Sequence, residues 1–521
     1  MIKNSQIGAK VLSALMSVGV KECCVCPSAR NAPFVAILTK TDPFKTYYWP
    51  EERSAAFFAL GRSQATRKPV AVITTSGTAV GELLPAVMEA YYKGTPLILI
   101  TADRPRHYRG TGAPQSAEQV GIFGVYTPKA QDIALEENPD FSDWDFQTPL
   151  HLNVCFDEPL LDEEPVVFNE IRPIQKTTQN PKFEKVHQFL HDIEHPFVIV
   201  SELPEEAREP VVRFLCELNA PVYLEAHSGI REDPRLQKLY LSAENLFQKA
   251  KALEYPIDSL LRIGGVPTHR IWRDLEDLPN IKVFSINRVP FSGLSHRPIE
   301  CVDLPLFFQK YCPQKRFLSP KTFEQEFRES TLSLFQQFPL AEPSLVHTLS
   351  KKLETKTHIY LGNSLPIREW DLAATFEQKQ FCVTTSRGLN GIDGQISTFL
   401  GRCFRDRPNW AILGDLTALY DLAGPWILHQ LGISDIHLMI INNGGGKIFS
   451  SMFPQREMQN LHHLNFEGFA KLWNLSYEKW TNIESIKTDQ PTLIELVPNN
   501  QQTELFWKEY RSLSSIASMV S

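Results

Sequence analysis

Short uninterrupted apolar runs, each breaking off at a polar or glycine-bearing turn, recur along the chain and constrain its fold more than any other feature. VAVITT (70–75) stops at Ser76-Gly77-Thr78, PLILITA (96–102) at a loop carrying Asp103 and Arg104, WAILG (410–414) at Asp415, and IHLMII (436–441) at Asn442-Asn443-Gly444. A strand that is apolar on both faces belongs to a parallel sheet covered by helices on both sides. VKECCVCP (20–27) joins the first group, which also has helical spacing over 5–19 and from the break at 76–78 through Tyr92. PFVIVSE (196–202), APVYLEA (220–226), SLLRIGG (259–265) and IKVFSIN (281–287) form a second group. HIYLGNS (358–364), FCVTTSRG (381–388) and PTLIELV (491–497) complete a third with the runs at 410 and 436. The expected fold is α/β: three consecutive domains, each a parallel sheet between helices.

The 521 residues leave room for three such domains. Pro- and charge-rich stretches near 156–185, then a polar helical region over 311–345 containing FPLAEPS, set expected boundaries of 1–180, 181–340 and 341–521. A net charge of −7 gives no basis for binding nucleic acid. The start, MIKNSQIGAK, has no apolar signal core, and no run is long enough to span a membrane, so a cytoplasmic protein is expected. The nine cysteines lack zinc-site spacing, and Cys23, Cys24 and Cys26 fall in a strand, which reads as reduced structural thiols.

The third group carries the strongest chemical signal. The 28 positions from Asp415 to Asn443 leave room for one helix and a return strand. Both residues then reach the carboxyl edge of one parallel sheet, where open α/β folds bind ligands. A carboxylate, an amide oxygen and a nearby backbone carbonyl are hard donors suited to Mg²⁺, and a helix N-terminus at that edge can receive a diphosphate. The spacing resembles the thiamine-diphosphate motif, in which GD is followed by NN. By that resemblance Asp415, Asn443 and the Gly445 carbonyl bind Mg²⁺ or Mn²⁺, and Gly414, Thr417, Gly444 and Ser386 border the cofactor.

Thiamine chemistry also needs a carboxyl group against the aminopyrimidine ring, best held where burial tightens its proton. YYWPEERSAAFFALG (47–61) supplies Glu51 and Glu52 between aromatics and an apolar helix. Glu52 matches the activating acid of these enzymes, while Glu51 reads as a helix cap. Ile392 matches the large apolar side chain that bends the cofactor.

CPSARNAPF (26–34), LITADRPRHYRGTGAPQS (99–116), GNSLPIREWD (362–371), TTSRGLNGIDG (384–394), GDLTALYDL (414–422) and NNGGGKIFS (442–450) together resemble the 2-succinyl-5-enolpyruvyl-6-hydroxy-3-cyclohexene-1-carboxylate synthases of menaquinone biosynthesis, over nearly the whole chain. The resemblance implies decarboxylation of 2-oxoglutarate and 1,4-addition of the remaining fragment to isochorismate. It also implies a homodimer or dimer of dimers, with each site at a subunit interface. Substrates rich in carboxylates call for arginines. Carried over residue by residue, Ser364 and Arg368 face the distal succinyl carboxylate, and Arg30, Arg104 and Arg387 the isochorismate carboxylates. Gln115 and Asn363 complete the polar site, Ile448 and Phe449 its apolar wall, and Arg270 stands where lysine is usual.

Ala29 lacks an expected hydroxyl, and Pro114 replaces an asparagine; both departures touch the substrate side. The acidic loop 131–145 is unfamiliar, and His107, His462 and His463 read as solvated loop residues. An acetolactate-synthase-like carboligase or decarboxylase, and a non-catalytic homologue, are the competing readings. The first calls for fewer cations; the second conflicts with intact Glu52, Asp415 and Asn443.

Overall fold

The computed structural model describes residues 4–162, 168, 181–295, 297–319, 324–450, 452–453, 455–486 and 490–516. Most of the expected linker at 156–185 lies outside them. The described part holds three all-parallel sheets.

The first comprises β1 (Glu22–Val25), β2 (Lys45–Tyr48), β3 (Val70–Thr74), β4 (Leu97–Asp103), β5 (Lys129–Ile133) and β6 (Leu150–Cys155), in the order β2-β1-β3-β4-β6-β5. The second comprises β7 (Pro196–Val200), β8 (Val222–Leu224), β9 (Ser259–Ile263), β10 (Lys282–Asn287) and β11 (Ile299–Cys301), in the order β11-β10-β9-β7-β8. The third comprises β12 (His358–Leu361), β13 (Cys382–Thr385), β14 (Asn409–Gly414), β15 (Ile436–Ile441), β16 (Ser476–Trp480) and β17 (Thr492–Leu496), in the order β13-β12-β14-β15-β17-β16.

The first and third sheets therefore have one and the same topology. Each reverses its strand order between β1 and β3 and between β12 and β14, and again at its far edge; the first of these switch points opens a crevice beyond the strand ends. The turns that flank those crevices are Cys26–Arg30 and Thr75–Gly77 in one sheet, Gly362–Ser364 and Gly414–Asp415 in the other.

By backbone contacts the chain divides into two compact units. One consists of Met1–Thr178, Ser386–Arg405 and Thr417–Ser434; the other of Gln179–Thr385, Asp406–Leu416 and Asp435–Ser521. Within the first unit the helix Glu52–Thr66 crosses the helix Gln395–Arg402 at backbone contact. A Cβ on Gly61 would stand 2.2 Å from the Thr398 carbonyl oxygen, and one on Gly401 2.3 Å from that of Phe58. Asp421, fully buried, ties the same pair together by accepting from Ser54 Oγ (3.1 Å), Ser397 N (2.7 Å) and Ser397 Oγ (3.0 Å). These contacts fix the helix that begins at Glu52.

The structure corrects two helix readings. The stretch from Thr78 to Lys93 is two helices, Thr78–Gly81 and Leu84–Lys93, because Pro85 must start a helix rather than continue one. Asp415 and β15 are joined by three short helical pieces, not one helix, with Pro425 opening the second. β2, β5, β6, β11 and β16 were not expected. Four of them are edge strands or short polar ones, but β6 is wholly buried. Thr101 Oγ1 pairs with His151 Nε2 (2.8 Å) and donates to Asn153 Oδ1 (2.9 Å), which also accepts from Gln119 Nε2 (2.6 Å), while His151 Nδ1 has no partner among the described residues. All nine cysteines are free. No helix among the described residues is long and apolar enough to cross a membrane.

Burial pushes the His151 imidazole down to about 4. Between that value and the ordinary 6.5 the unfolded chain binds the extra proton. Stability contributed by the neutral ring is therefore present above pH 6.5 and lost as pH falls toward 4, by about 3 kcal/mol in all. Thermal unfolding followed from pH 7 to pH 4 is expected to show this acid-side loss, and His151→Leu should shrink it.

Candidate active site

Most candidate residues sit near a strand end or in the first turn of a helix, and each compact unit gathers its own set. In the first unit, Glu51 adopts extended backbone and caps the helix Glu52–Thr66, its carboxylate accepting from Arg53 N (3.0 Å) and Ser54 N (2.8 Å). That leaves Glu52, half-buried, free of capping duty. Its nearest side-chain partner is Thr74 Oγ1 at 3.5 Å, at the end of β3. Burial raises the Glu52 carboxyl above the usual range, with the neighbouring Glu51 adding to the effect. A carboxyl that keeps its proton more tightly is what a group donating to a ring nitrogen requires.

Arg30 is buried after β1, donating to the Phe156 carbonyl oxygen (3.2 Å) and paired with Glu158 at 3.3 Å. The loop after β4 holds three arginines with different fates. Arg106 and Arg109 are taken up by Asp132, at 2.7 Å each, with Glu137 on Arg106 and Asp103 on Arg109. The acidic loop at 131–145 thus serves to neutralise them. Arg104 has no carboxylate partner among the described residues; it donates to the Pro114 carbonyl oxygen (3.1 Å) and lies over the Tyr108 ring. Gln115 has a left-handed backbone (φ 56°) and lies against Gly77, where a Cβ would come within 3.3 Å of its Cα.

Ser386, Arg387 and Ile392 share the loop that follows β13. Glu89, on the helix Leu84–Lys93 and buried, clamps that loop by accepting from Gly388 N (2.7 Å) and Leu389 N (2.6 Å). Glu89 was not singled out in the sequence, although an isolated acid in the apolar helical run AVMEAYY was the available signal. Hydrogen bonds to a charged acceptor contribute about 1.5–3 kcal/mol each. Glu89→Leu is therefore expected to lower stability by roughly 3–6 kcal/mol and to speed amide exchange across 386–394, read by hydrogen-exchange mass spectrometry.

In the second unit, Asp415 ends β14 and opens the helix Asp415–Tyr420. Its Oδ1 accepts from Leu416 N (2.6 Å), and its Oδ2 from Gly444 N and Gly445 N (2.9 Å each). The two strand-end turns are thus folded around one carboxylate. Gly445 must be glycine: its φ is 136°, and a Cβ would lie 2.6 Å from the Gln459 carbonyl oxygen. Asn443 is buried and donates through Nδ2 to Glu342, at 3.2 and 3.0 Å, while its Oδ1 accepts no hydrogen bond from any described residue. A carboxylate beside a buried, unpartnered amide oxygen fits a hard divalent cation. His462, read from sequence as a solvated loop residue, is instead largely buried with Nε2 3.3 Å from Asp415 Oδ2. His107 and His463 are exposed. Thr417, two residues along the same helix but counted with the first unit, is buried, whereas Gly414 and Gly444 are half-buried in the turns.

Asn363 is buried, and Ser364 precedes the helix Leu365–Ala373 with a left-handed backbone (φ 77°). Arg368 donates to the Ser364 carbonyl oxygen (2.5 Å) and is exposed. Asp371 anchors this helix by accepting from Ala226 N (2.6 Å) and from the Tyr223 hydroxyl, and burial pushes its carboxyl up to about 7. Arg270 is exposed, with Nε 3.1 Å from Asp274. Arg270 and Arg368 nonetheless line one cavity of about 850 Å³, together with Arg231, Arg328 and Phe376. Ile448 and Phe449 occupy a short helical turn just past Gly446, both half-buried.

Residues 6–122 match the family model for the thiamine pyrophosphate enzyme N-terminal TPP binding domain. Fold and match together define a thiamine-diphosphate enzyme. The chain is 43% identical to the 2-succinyl-5-enolpyruvyl-6-hydroxy-3-cyclohexene-1-carboxylate synthase of Bdellovibrio bacteriovorus, over 97% of this chain and 98% of that protein. It is 37% identical to the synthase of the same name from Akkermansia muciniphila, over 93% and 95% of the two chains. The likeness extends to that of Listeria welshimeri at 28%, over 92% and 90%. The chain belongs to the 2-succinyl-5-enolpyruvyl-6-hydroxy-3-cyclohexene-1-carboxylate synthase family.

Proposed function

We propose that this protein decarboxylates 2-oxoglutarate and joins the remaining four-carbon fragment to isochorismate by 1,4-addition, as a step of menaquinone biosynthesis. The observation that carries this reading is full-length identity to synthases of that name, at 43% over 97% of the chain. Cations at the strand-end turns agree with substrates rich in carboxylates.

Bound thiamine diphosphate supplies the nucleophilic carbon and the electron sink. Glu52 holds the proton that faces the aminopyrimidine ring, and Ile392 is the apolar support against which the cofactor is bent. Asp415, the Asn443 amide oxygen and the Gly445 carbonyl hold Mg²⁺ or Mn²⁺, and Gly414, Thr417, Gly444 and Ser386 border the diphosphate and ring portions. Ser364 and Arg368, with Asn363 and Arg270, orient 2-oxoglutarate by its distal carboxylate. Arg30, Arg104, Gln115 and Arg387 orient isochorismate, with Ile448 and Phe449 excluding water from the reacting carbons. Three domains, 1–180, 181–340 and 341–521, carry these parts. The working form is a cytoplasmic homodimer or dimer of dimers, in which Glu52 of one subunit and Asp415 of another serve one cofactor.

The test is the product mass after mixing protein, thiamine diphosphate, Mg²⁺, 2-oxoglutarate and isochorismate. The adduct of isochorismate with 2-oxoglutarate less CO₂ is expected. Release of CO₂ from pyruvate in clear preference to 2-oxoglutarate would replace this reading with the acetolactate-synthase-like one.

A further inference from the structure

The Asn443 side chain can serve a cation only with its oxygen toward it, and an amide has two nearly isosteric ends. Which end points where is decided by the partner of the other end. That partner is Glu342, the first residue of the helix Glu342–Lys352, only 2% exposed. Both its oxygens lie within hydrogen-bonding distance of Asn443 Nδ2. A carboxylate accepts and does not donate, and the helix N-terminus favours its charge. Nδ2 is therefore held on the Glu342 side, and Oδ1 turns away from it, buried and without a hydrogen-bond donor among the described residues. Glu369, fully buried on the helix Leu365–Ala373, lies close enough to Glu342 for the two carboxyls to influence each other, and burial raises its carboxyl well above the usual range.

We propose that Glu342 is a positioning residue for the metal site: it fixes the orientation of the Asn443 amide so that Oδ1 faces the cation. The inference rests on the reading of Asp415, Asn443 and Gly445 as metal ligands. It assigns a role in cation binding to an acid 101 positions away in the sequence from the ligand it orients. Partners that orient a metal ligand are worth about 10- to 100-fold in metal affinity.

Glu342→Gln tests it without changing shape. The new amide offers a donor as well as an acceptor, so the Asn443 amide is no longer held with Nδ2 on that side. Mn²⁺ binding to the full-length protein with thiamine diphosphate, read by electron paramagnetic resonance, is expected to weaken about 10- to 100-fold. Melting of the metal-free protein monitors folding. In an Asn443→Ala background the same Glu342→Gln change is expected to cost no more than about 2-fold, because its effect passes through Asn443. Wild-type Mn²⁺ affinity in Glu342→Gln, or an equal loss with and without Asn443, overturns the proposal. Asp415→Ala separates the two levels: if it binds Mn²⁺ like the wild type, the metal-site reading itself is wrong.

Discussion

Glu52→Gln is expected to lower turnover by about 10²- to 10⁴-fold, the range for removing a positioned acid, while thiamine diphosphate still binds. The substitution keeps the shape of the side chain and removes only its exchangeable carboxyl proton. The helix should be undisturbed, because Glu51, not Glu52, caps it through Arg53 N and Ser54 N. The raised Glu52 carboxyl adds a pH signature. Activity that needs this proton falls as pH climbs through the raised value, so the wild-type profile should show a descending limb above the ordinary carboxyl range that vanishes in the variant. Cofactor titration by circular dichroism, set beside steady-state rates, measures both halves. Weak binding in the variant would make Glu52 a binding residue instead.

Asp415→Ala should act at an earlier step. It removes a carboxylate that holds both strand-end turns through Leu416 N, Gly444 N and Gly445 N. Deleting one member of a buried charged pair costs about 2–5 kcal/mol, or roughly 30- to 5,000-fold in affinity. Binding of metal and cofactor, read by calorimetry, is expected to fall by that factor, and activity with it. Asp415→Asn, which keeps an acceptor for the glycine amides but loses the charge, should fall between. If Asp415→Asn bound the metal as tightly as the wild type, the charge would have no role there.

Much of this was legible in the sequence because its signals are local. Runs such as VAVIT and IHLMII are apolar on both faces, so they fit only parallel strands, and Gly414-Asp415 and Asn442-Asn443 mark strand ends. What stayed hidden depends on partners far along the chain. LHLNVC, the buried strand β6, reads as half-polar until Thr101 is seen to pair with His151 Nε2 and, with Gln119, to donate to Asn153. Of Arg104, Arg106 and Arg109, spacing alone could not tell which two Asp132 would neutralise. Glu89 reaches the loop at 388–389, some 300 positions away, and Glu342 reaches Asn443. His462 was read as solvated because nothing nearby in sequence announces its approach to Asp415. The shared topology of the first and third sheets was equally invisible, since it resides in strand order and not in repeated residues.

Subunit complementation puts the central claim at most direct risk. Glu52→Gln and Asp415→Ala chains, each inactive alone, are co-expressed with different tags so that mixed dimers form. If Glu52 of one subunit and Asp415 of its partner serve one cofactor, every mixed dimer regains one intact site. Random pairing then returns about one quarter of wild-type activity. Mixed dimers, isolated by both tags, that remain as inactive as the parents would contradict the account.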